Sequence, residues 1–244
     1  MRYKVVCAYD GSNYAGFQSQ INAKAIQDMI ENVLSKYFNQ SIKIIFASRT
    51  DAGVHAYGQV FHFDIDKKLD EDCLYHFNQM LPNDIIFKSI NGVTDDFHAR
   101  CNIKQKHYRY VINIDNLDIF NRNYAYFCPF KLDLELLKAA AQLFIGEHNF
   151  EAFNSTPLSM IPDQTKTIDD IKISTSKNYI YLDFYGKSFM RYMIRMMVGM
   201  MVEVARGKVA ITEITRRLEE PSKDRYHRYS IDGRGLFLVS IEYN

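Results

Sequence analysis

The chain has 244 residues, 47% hydrophobic and 24% charged, enough for a sizeable core in one or two domains of ordinary soluble composition. Net charge is only +1, which sets it apart from strongly basic nucleic-acid-binding domains. The four cysteines, Cys7, Cys73, Cys101 and Cys128, are widely spaced without a CxxC pair, so neither a zinc ribbon nor a disulfide framework is expected and a cytoplasmic location fits. No basic head followed by an apolar run opens the chain, so no signal peptide is expected.

The patterning predicts a strand at Tyr3–Tyr9, a helix at Ala25–Phe38, and strands at Ile42–Phe46 and Gln59–Ile65. A helix near Glu71–Leu81 and a strand near Ile85–Ile90 follow, with Asn91–Gln105 as a crossover. The second half opens with a strand at His107–Ile114 and a helix at Asp133–Phe144. Asn154–Gln164, with two prolines, reads as a loop. Strands at Asp170–Ser174 and Ile180–Tyr185, a long helix at Phe189–Ala205, a short helix at Ile211–Leu218 and a strand at Leu236–Glu242 complete the chain. Strands and helices that alternate, with hairpin-like pairs, argue an α+β fold with a mostly antiparallel sheet.

Charge is uneven. Residues 61–99 carry three Lys/Arg against eight Asp/Glu, and residues 132–186 four against eight. Residues 100–131 carry six against two, and residues 187–244 eleven against seven. Folding can gather the basic blocks on one face, or leave a mixed solvated surface.

Between the strands at 42–46 and 59–65 lies Ser48-Arg49-Thr50-Asp51-Ala52-Gly53-Val54-His55. Asp51 sits on a loop that a sheet can hold rigid, beside small residues that leave room for another molecule. A carboxylate so placed can act as nucleophile or base, or it can be a turn aspartate bonded to its own backbone. In His107-Tyr108-Arg109-Tyr110, strand alternation puts Tyr108 and Tyr110 on one face and Arg109 on the other. Such tyrosines pack a sheet, or stack on a base at a cleft. The stretch Phe189–Val204 is apolar almost all round and therefore buried, while Arg191, Arg195 and Glu203 exclude a membrane span. Arg191 and Arg195, four apart, are expected on one helix face, where an anion in a cleft or snorkelling to the surface satisfies them. His55 and His62 lack metal-ligand spacing with a third group, no HExxH motif exists, and no P-loop or dinucleotide fingerprint is present.

The loop around Asp51 resembles the catalytic motif Gly-Arg-Thr-Asp-Ala-Gly-Val-His of the tRNA pseudouridine synthase A family, with Ser48 in place of Gly. Tyr9-Asp10-Gly11-Ser12-Asn13-Tyr14-Ala15-Gly16-Phe17-Gln18-Ser19-Gln20 is similar to the family's opening motif, with Phe17 in place of Trp. Asp96-Phe97-His98-Ala99-Arg100, Tyr108-Arg109-Tyr110, Phe189-Met190-Arg191-Tyr192-Met193-Ile194-Arg195 and Gly235-Leu236-Phe237-Leu238-Val239 resemble further family motifs in the same order. Lys166-Thr167 departs from a common Arg-Thr.

The resemblance implies the pseudouridine synthase fold, two α/β halves (residues 1–100 and 101–244) sharing a mostly antiparallel central sheet with a cleft between them. It implies an isomerase that converts uridine to pseudouridine at positions 38, 39 and 40 of the tRNA anticodon stem-loop, without cofactor or metal. Asp51 would be the nucleophile or base, Arg195 its ion-pair partner, and Tyr108 the residue packing on the flipped uracil. Arg49 would help hold the nucleotide out of its stack, and His98, Arg100 and Arg191 are candidate RNA contacts. The partners implied are tRNA and a second copy of the chain, with no membrane association.

Three rivals remain open at this level. One is an RNA-binding protein on the same scaffold; the second is a synthase of this fold acting on another RNA, such as ribosomal RNA. The third is a glycosidase-like hydrolase, which in its retaining form needs a second carboxylate about 5 Å from the first. No acidic neighbour of Asp51 in sequence supplies one.

Overall fold

The computed structural model describes residues 1–222 and 229–244. In chain order the elements are β1 (Arg2–Tyr9), α1 (Ile26–Phe38), β2 (Ile45–Phe46), β3 (His55–Asp64), α2 (Cys73–Met80), β4 (Ile85–Val93), β5 (Ile103–Asn113), β6 (Tyr126–Phe127), α3 (Leu134–Gln142), β7 (Gly146–Asn149), β8 (Thr165–Ile168), β9 (Asp170–Ser176), β10 (Tyr179–Gly186), α4 (Met193–Ala205), α5 (Thr212–Glu219) and β11 (Leu236–Tyr243). They form two units, one from Met1–Lys104 with Phe237–Asn244 and one from Gln105–Leu236. The last strand thus returns to the first unit.

In the first unit the strand order is β4-β1-β3-β11, with β2 on β3. β1 runs antiparallel to both neighbours, from Arg2 opposite Asp64 on one side and Val93 on the other. Only the β3–β11 pairing, His55 with Phe237, is parallel. β1 alternates as its sequence predicts, burying Tyr3, Val5, Cys7 and Tyr9. α1 buries Ile26, Ile30, Val33 and Leu34, the spacing of one helix face, and ends on Asn39 in the left-handed conformation. Phe61, Phe63, Phe77 and Phe87 are fully buried, with ring contacts of 5.4 Å between Phe61 and Phe87 and 5.9 Å between Phe77 and Phe87. Val60, Ala47, Ala99 and Ile103 form a second cluster, against which Phe97 and Tyr243 pack.

In the second unit the order is β5-β10-β9, antiparallel throughout, with β6 parallel on the other side of β5. β7 and β8 form a separate antiparallel pair. Asp133 caps α3 by accepting from the backbone N–H groups of Glu135 and Leu136. α4 buries eleven of its thirteen residues, all but Arg195 and Glu203, as its almost wholly apolar sequence predicts.

Both units are mixtures of helix with mostly antiparallel sheet, so the α+β class holds. The differences lie at element ends. The strand expected over Ile42–Phe46 keeps only Ile45–Phe46, because the backbone N–H groups of Ile42 and Ile44 bond side chains, Ser35 and Glu31, instead of a strand. β5 begins at Ile103, four residues before the expected His107. β6, β7 and β8 were not expected; two to four residues carry too little alternation to announce a strand. The long helix begins at Met193, not Phe189, after a turn at Arg191-Tyr192. Among the described residues no helix is long and apolar enough to cross a membrane.

Candidate active site

The Asp51 loop joins β2 to β3 in the first unit. Ser48 and Thr50 are buried, Asp51 is half-buried, and Arg49 and Ala52 are exposed. Gln59, fully buried on β3, clasps the backbone of Ser48: its side-chain nitrogen donates to Ser48 O at 2.6 Å and its oxygen accepts from Ser48 N–H at 3.2 Å. This clasp uses main-chain atoms of residue 48, which fits a Ser where the family motif has Gly. Tyr9 and Thr50 share a hydroxyl hydrogen bond of 2.8 Å. Val54 N–H donates to Asp51 O at 3.2 Å, which closes a tight turn through Ala52 and Gly53.

The second support is the segment from Asp10 to Gln20, the body of the opening motif. It packs on the Asp51 loop. Phe17 N–H donates to Thr50 O at 3.1 Å, and Gly53 N–H donates to Tyr14 O at 3.4 Å. Gly16 has φ +105°, and a Cβ there would lie 2.6 Å from Thr50 O. Gly11 N–H donates to Nδ1 of the buried His55, which stacks on Phe237. Phe17, an aromatic ring where the family motif has Trp, is fully buried against Phe46 and Tyr9. Tyr9, Gly11, Gly16, Phe17 and Gln59 were not picked out as site residues. The glycine-rich opening motif was the available signal, since close backbone approach requires glycine.

His98 and Arg100 lie in the same unit. Arg100 is exposed, with its guanidinium carbon 5.3 Å from the Phe46 ring centroid. His98 Nδ1 accepts from Arg100 N–H at 3.2 Å, and its ring meets His62 edge-on at 5.2 Å. His62 Nδ1 accepts from Ala99 N–H at 3.1 Å, and its buried Nε2 has no hydrogen-bond partner among the described residues. Burial, then the Arg2 and His98 charges, push the His62 pKa down to about 4.

The second unit carries Tyr108, Arg191 and Arg195. As alternation predicts, Tyr108 and Tyr110 are buried on one face of β5 while His107 and Arg109 take the other. The Tyr108 ring meets Phe189 edge-on at 5.2 Å. On the opposite face the Arg109 guanidinium makes a fork onto Asp183, with bonds of 2.8 and 3.0 Å, and His107 Nε2 lies 2.6 Å from the same carboxylate. Burial raises the Asp183 pKa, but the bonds from His107 and Arg109 outweigh it and hold the carboxyl below its ordinary value.

The expectation that Arg191 and Arg195 share a helix face is corrected: Arg191 precedes α4, in the turn that the left-handed Tyr192 makes. The two arginines meet instead at the Tyr192 ring. Their guanidinium carbons lie 5.3 Å (Arg191) and 4.4 Å (Arg195) from its centroid, and Arg195 Nε donates to Ile231 O at 2.7 Å. Elsewhere in this unit Lys166, on β8, donates to Thr165 O at 2.7 Å.

The family model described as tRNA pseudouridine synthase matches residues 5–100 and 140–244. The chain belongs to the tRNA pseudouridine synthase family. It is 39% identical over 243 residues to tRNA pseudouridine synthase A of an Exiguobacterium species, covering 99% of this chain and 98% of that protein. It is 38% identical to the protein of the same name from Acetivibrio thermocellus, covering 98% of both chains. It is 34% identical to tRNA pseudouridine synthase A 1 of Bacillus cereus, covering 100% of this chain and 99% of that protein. Membership makes the chain an isomerase by class. The segments matched to the pseudouridine synthase model contain Arg49, Asp51, His98, Arg100, Arg191 and Arg195, while Tyr108 lies in the stretch between them.

Proposed function

We propose that this protein isomerises uridine to pseudouridine in tRNA, at positions 38, 39 and 40 of the anticodon stem-loop, with Asp51 as the catalytic nucleophile or base. The observation that carries this reading is the Asp51 loop, in which Ser48 and Thr50 are buried and hydrogen-bonded while Asp51 itself is half-buried. A carboxylate fixed in this way loses little freedom when it meets a substrate.

The reaction exchanges one glycosidic bond for another. The C1′–N1 bond breaks, the uracil turns, a C1′–C5 bond forms, C5 loses its proton and N1 gains one. No oxidation and no energy source are involved. Asp51 attacks C1′ or C6, or removes the 2′ proton, and each route requires the ionised carboxylate. Arg195 is proposed as its partner, since a nearby guanidinium favours the charged form. The target nucleotide must leave its stack to be reached, at a cost of a few kcal/mol. Tyr108 packs on the everted uracil and Arg49 holds the nucleotide out. His98, Arg100 and Arg191 contact phosphate, so recognition is by shape and backbone charge. The protein is proposed to work in the cytoplasm as a homodimer.

The test has two arms. Asp51→Asn is expected to abolish pseudouridine formation on a tRNA transcript while tRNA binding persists; a variant that still turns over removes Asp51 from its role. Mapping pseudouridines in the total RNA of a deletion strain is expected to show loss at the anticodon stem-loop positions. Loss confined to ribosomal RNA would replace the tRNA assignment.

A further inference from the structure

Tyr192 immediately precedes α4, and its backbone is left-handed, with φ 62° and ψ 1°. Met193 N–H donates to Met190 O at 3.1 Å, so residues 190–193 close a turn with Tyr192 at its third position. Glycine is the usual residue in that conformation, because a side chain crowds its own carbonyl there. The same position is the N-cap of a thirteen-residue helix, and Tyr192 provides no side-chain capping bond. Asn, Asp, Ser or Gly would serve the helix start better. On both counts stability alone argues against tyrosine, which points to a role for the ring.

That ring has two cationic neighbours. The guanidinium carbon of Arg195 lies 4.4 Å from its centroid and that of Arg191 5.3 Å, both within the range at which a ring face attracts a cation. The electron-rich ring attracts both cations. Arg195 is fixed a second time through Nε, which donates to Ile231 O at 2.7 Å. With Nε engaged, the two terminal nitrogens form the edge that can take a carboxylate in bidentate fashion.

We propose that Tyr192 is a positioning residue for the reaction: its ring sets the plane and direction of the Arg195 guanidinium and holds Arg191 beside it. The inference rests on the reading of Arg195 as the partner of Asp51. Without the ring the charge of Arg195 and its bond to Ile231 O remain, but the guanidinium loses the aromatic face that packs against it. The carboxylate is then held ionised less well and aligned less well.

The experiment compares Tyr192→Phe, Tyr192→Leu and Tyr192→Gly on a tRNA transcript, beside Arg195→Lys and Asp51→Asn. The Phe variant keeps the ring and is expected within about two-fold of wild-type kcat. The Leu variant is expected to lose roughly 5- to 30-fold in kcat, with KM for tRNA changed less than about two-fold and the acid limb of the kcat–pH profile moved to higher pH. The Gly variant removes the ring and the left-handed strain together; it is expected to match the Leu variant in kcat while its Tm stays level or rises. Wild-type kcat with an unmoved acid limb in the Leu or Gly variant overturns the proposal, as does a loss confined to KM or a Phe variant as slow as the Leu variant. Full activity in both Arg195→Lys and Asp51→Asn sinks the underlying reading. Inactivity of both, with Tyr192→Leu at the wild-type rate, sinks the role of Tyr192 alone.

Discussion

Tyr9 and Thr50 join their hydroxyls across 2.8 Å, tying the end of β1 to the residue before Asp51. Both residues are buried, at 4% and 7% exposure, so the bond is made away from water. A polar pair of this kind is worth little as a net contribution but is costly to break on one side only.

A double-mutant cycle follows from that asymmetry. Tyr9→Phe and Thr50→Val are each expected to destabilise the protein by about 1–2 kcal/mol, and the double variant by clearly less than their sum, with a coupling of about 1 kcal/mol. Urea denaturation of the four proteins measures it. Strict additivity would mean that the two hydroxyls do not depend on each other.

Gly16 and Gly53 separate steric from conformational demand in the same site. Both have positive φ, +105° and +74°, but a Cβ on Gly16 would lie 2.6 Å from Thr50 O, whereas one on Gly53 meets nothing within 4 Å. Gly16→Ala is therefore expected to cost about 3 kcal/mol or more, since strain and overlap combine. Gly53→Ala is expected to cost only about 1–2 kcal/mol, the ordinary left-handed penalty. Thermal unfolding of the two variants checks the order, and equal losses would refute it.

His62 makes stability pH-dependent. Its pKa is about 4 in the folded protein and about 6.5 when unfolded. Between these values the unfolded chain binds a proton that the folded chain does not. Stability is therefore expected to fall as pH drops from about 6.5 to about 4, by at most on the order of 3 kcal/mol, and this contribution levels off below. In His62→Asn the side-chain oxygen can still accept from Ala99 N–H, and the slope in that window is expected to flatten. An unchanged slope in urea titrations at pH 7, 5.5 and 4.5 would assign the effect elsewhere.

Asp183 acts in a lower window. Its carboxyl is held below the ordinary value, so its contribution is present above the unfolded pKa and is lost as pH falls through the lower, folded one. Asp183→Asn leaves Arg109 and His107 without their anion. The Arg109 side chain is 40% exposed, so solvent tempers the loss, which is expected at about 2 kcal/mol at pH 7. A loss below ~0.5 kcal/mol would show that solvent replaces the carboxylate fully.

Much of the molecule could be read along the chain. The helix at Ile26–Phe38 follows from local periodicity, the burial of α4 from residues that are apolar almost all round, and the facing of Tyr108 and Tyr110 from strand alternation. Each concerns neighbours within a few residues, where backbone geometry alone decides which side chains share a face. The residues around Asp51 alone left a turn aspartate open, and it was the resemblance of the whole string Ser48–His55 to a family motif that singled it out.

What lay beyond the linear sequence was held by distant partners. Nothing in Gln59 announces that its amide clasps Ser48, and nothing in Gly16 announces the approach of Thr50 O, thirty-four residues away. The start of α4 was misplaced by four residues because Arg191 and Tyr192 have acceptable helix propensity. The packing of two guanidiniums on one ring, with a carbonyl from residue 231, accompanies a turn there instead. Periodicity reports which face of an element is apolar. The hydrogen bonds and close contacts that aim a catalytic side chain form only when the chain folds back on itself.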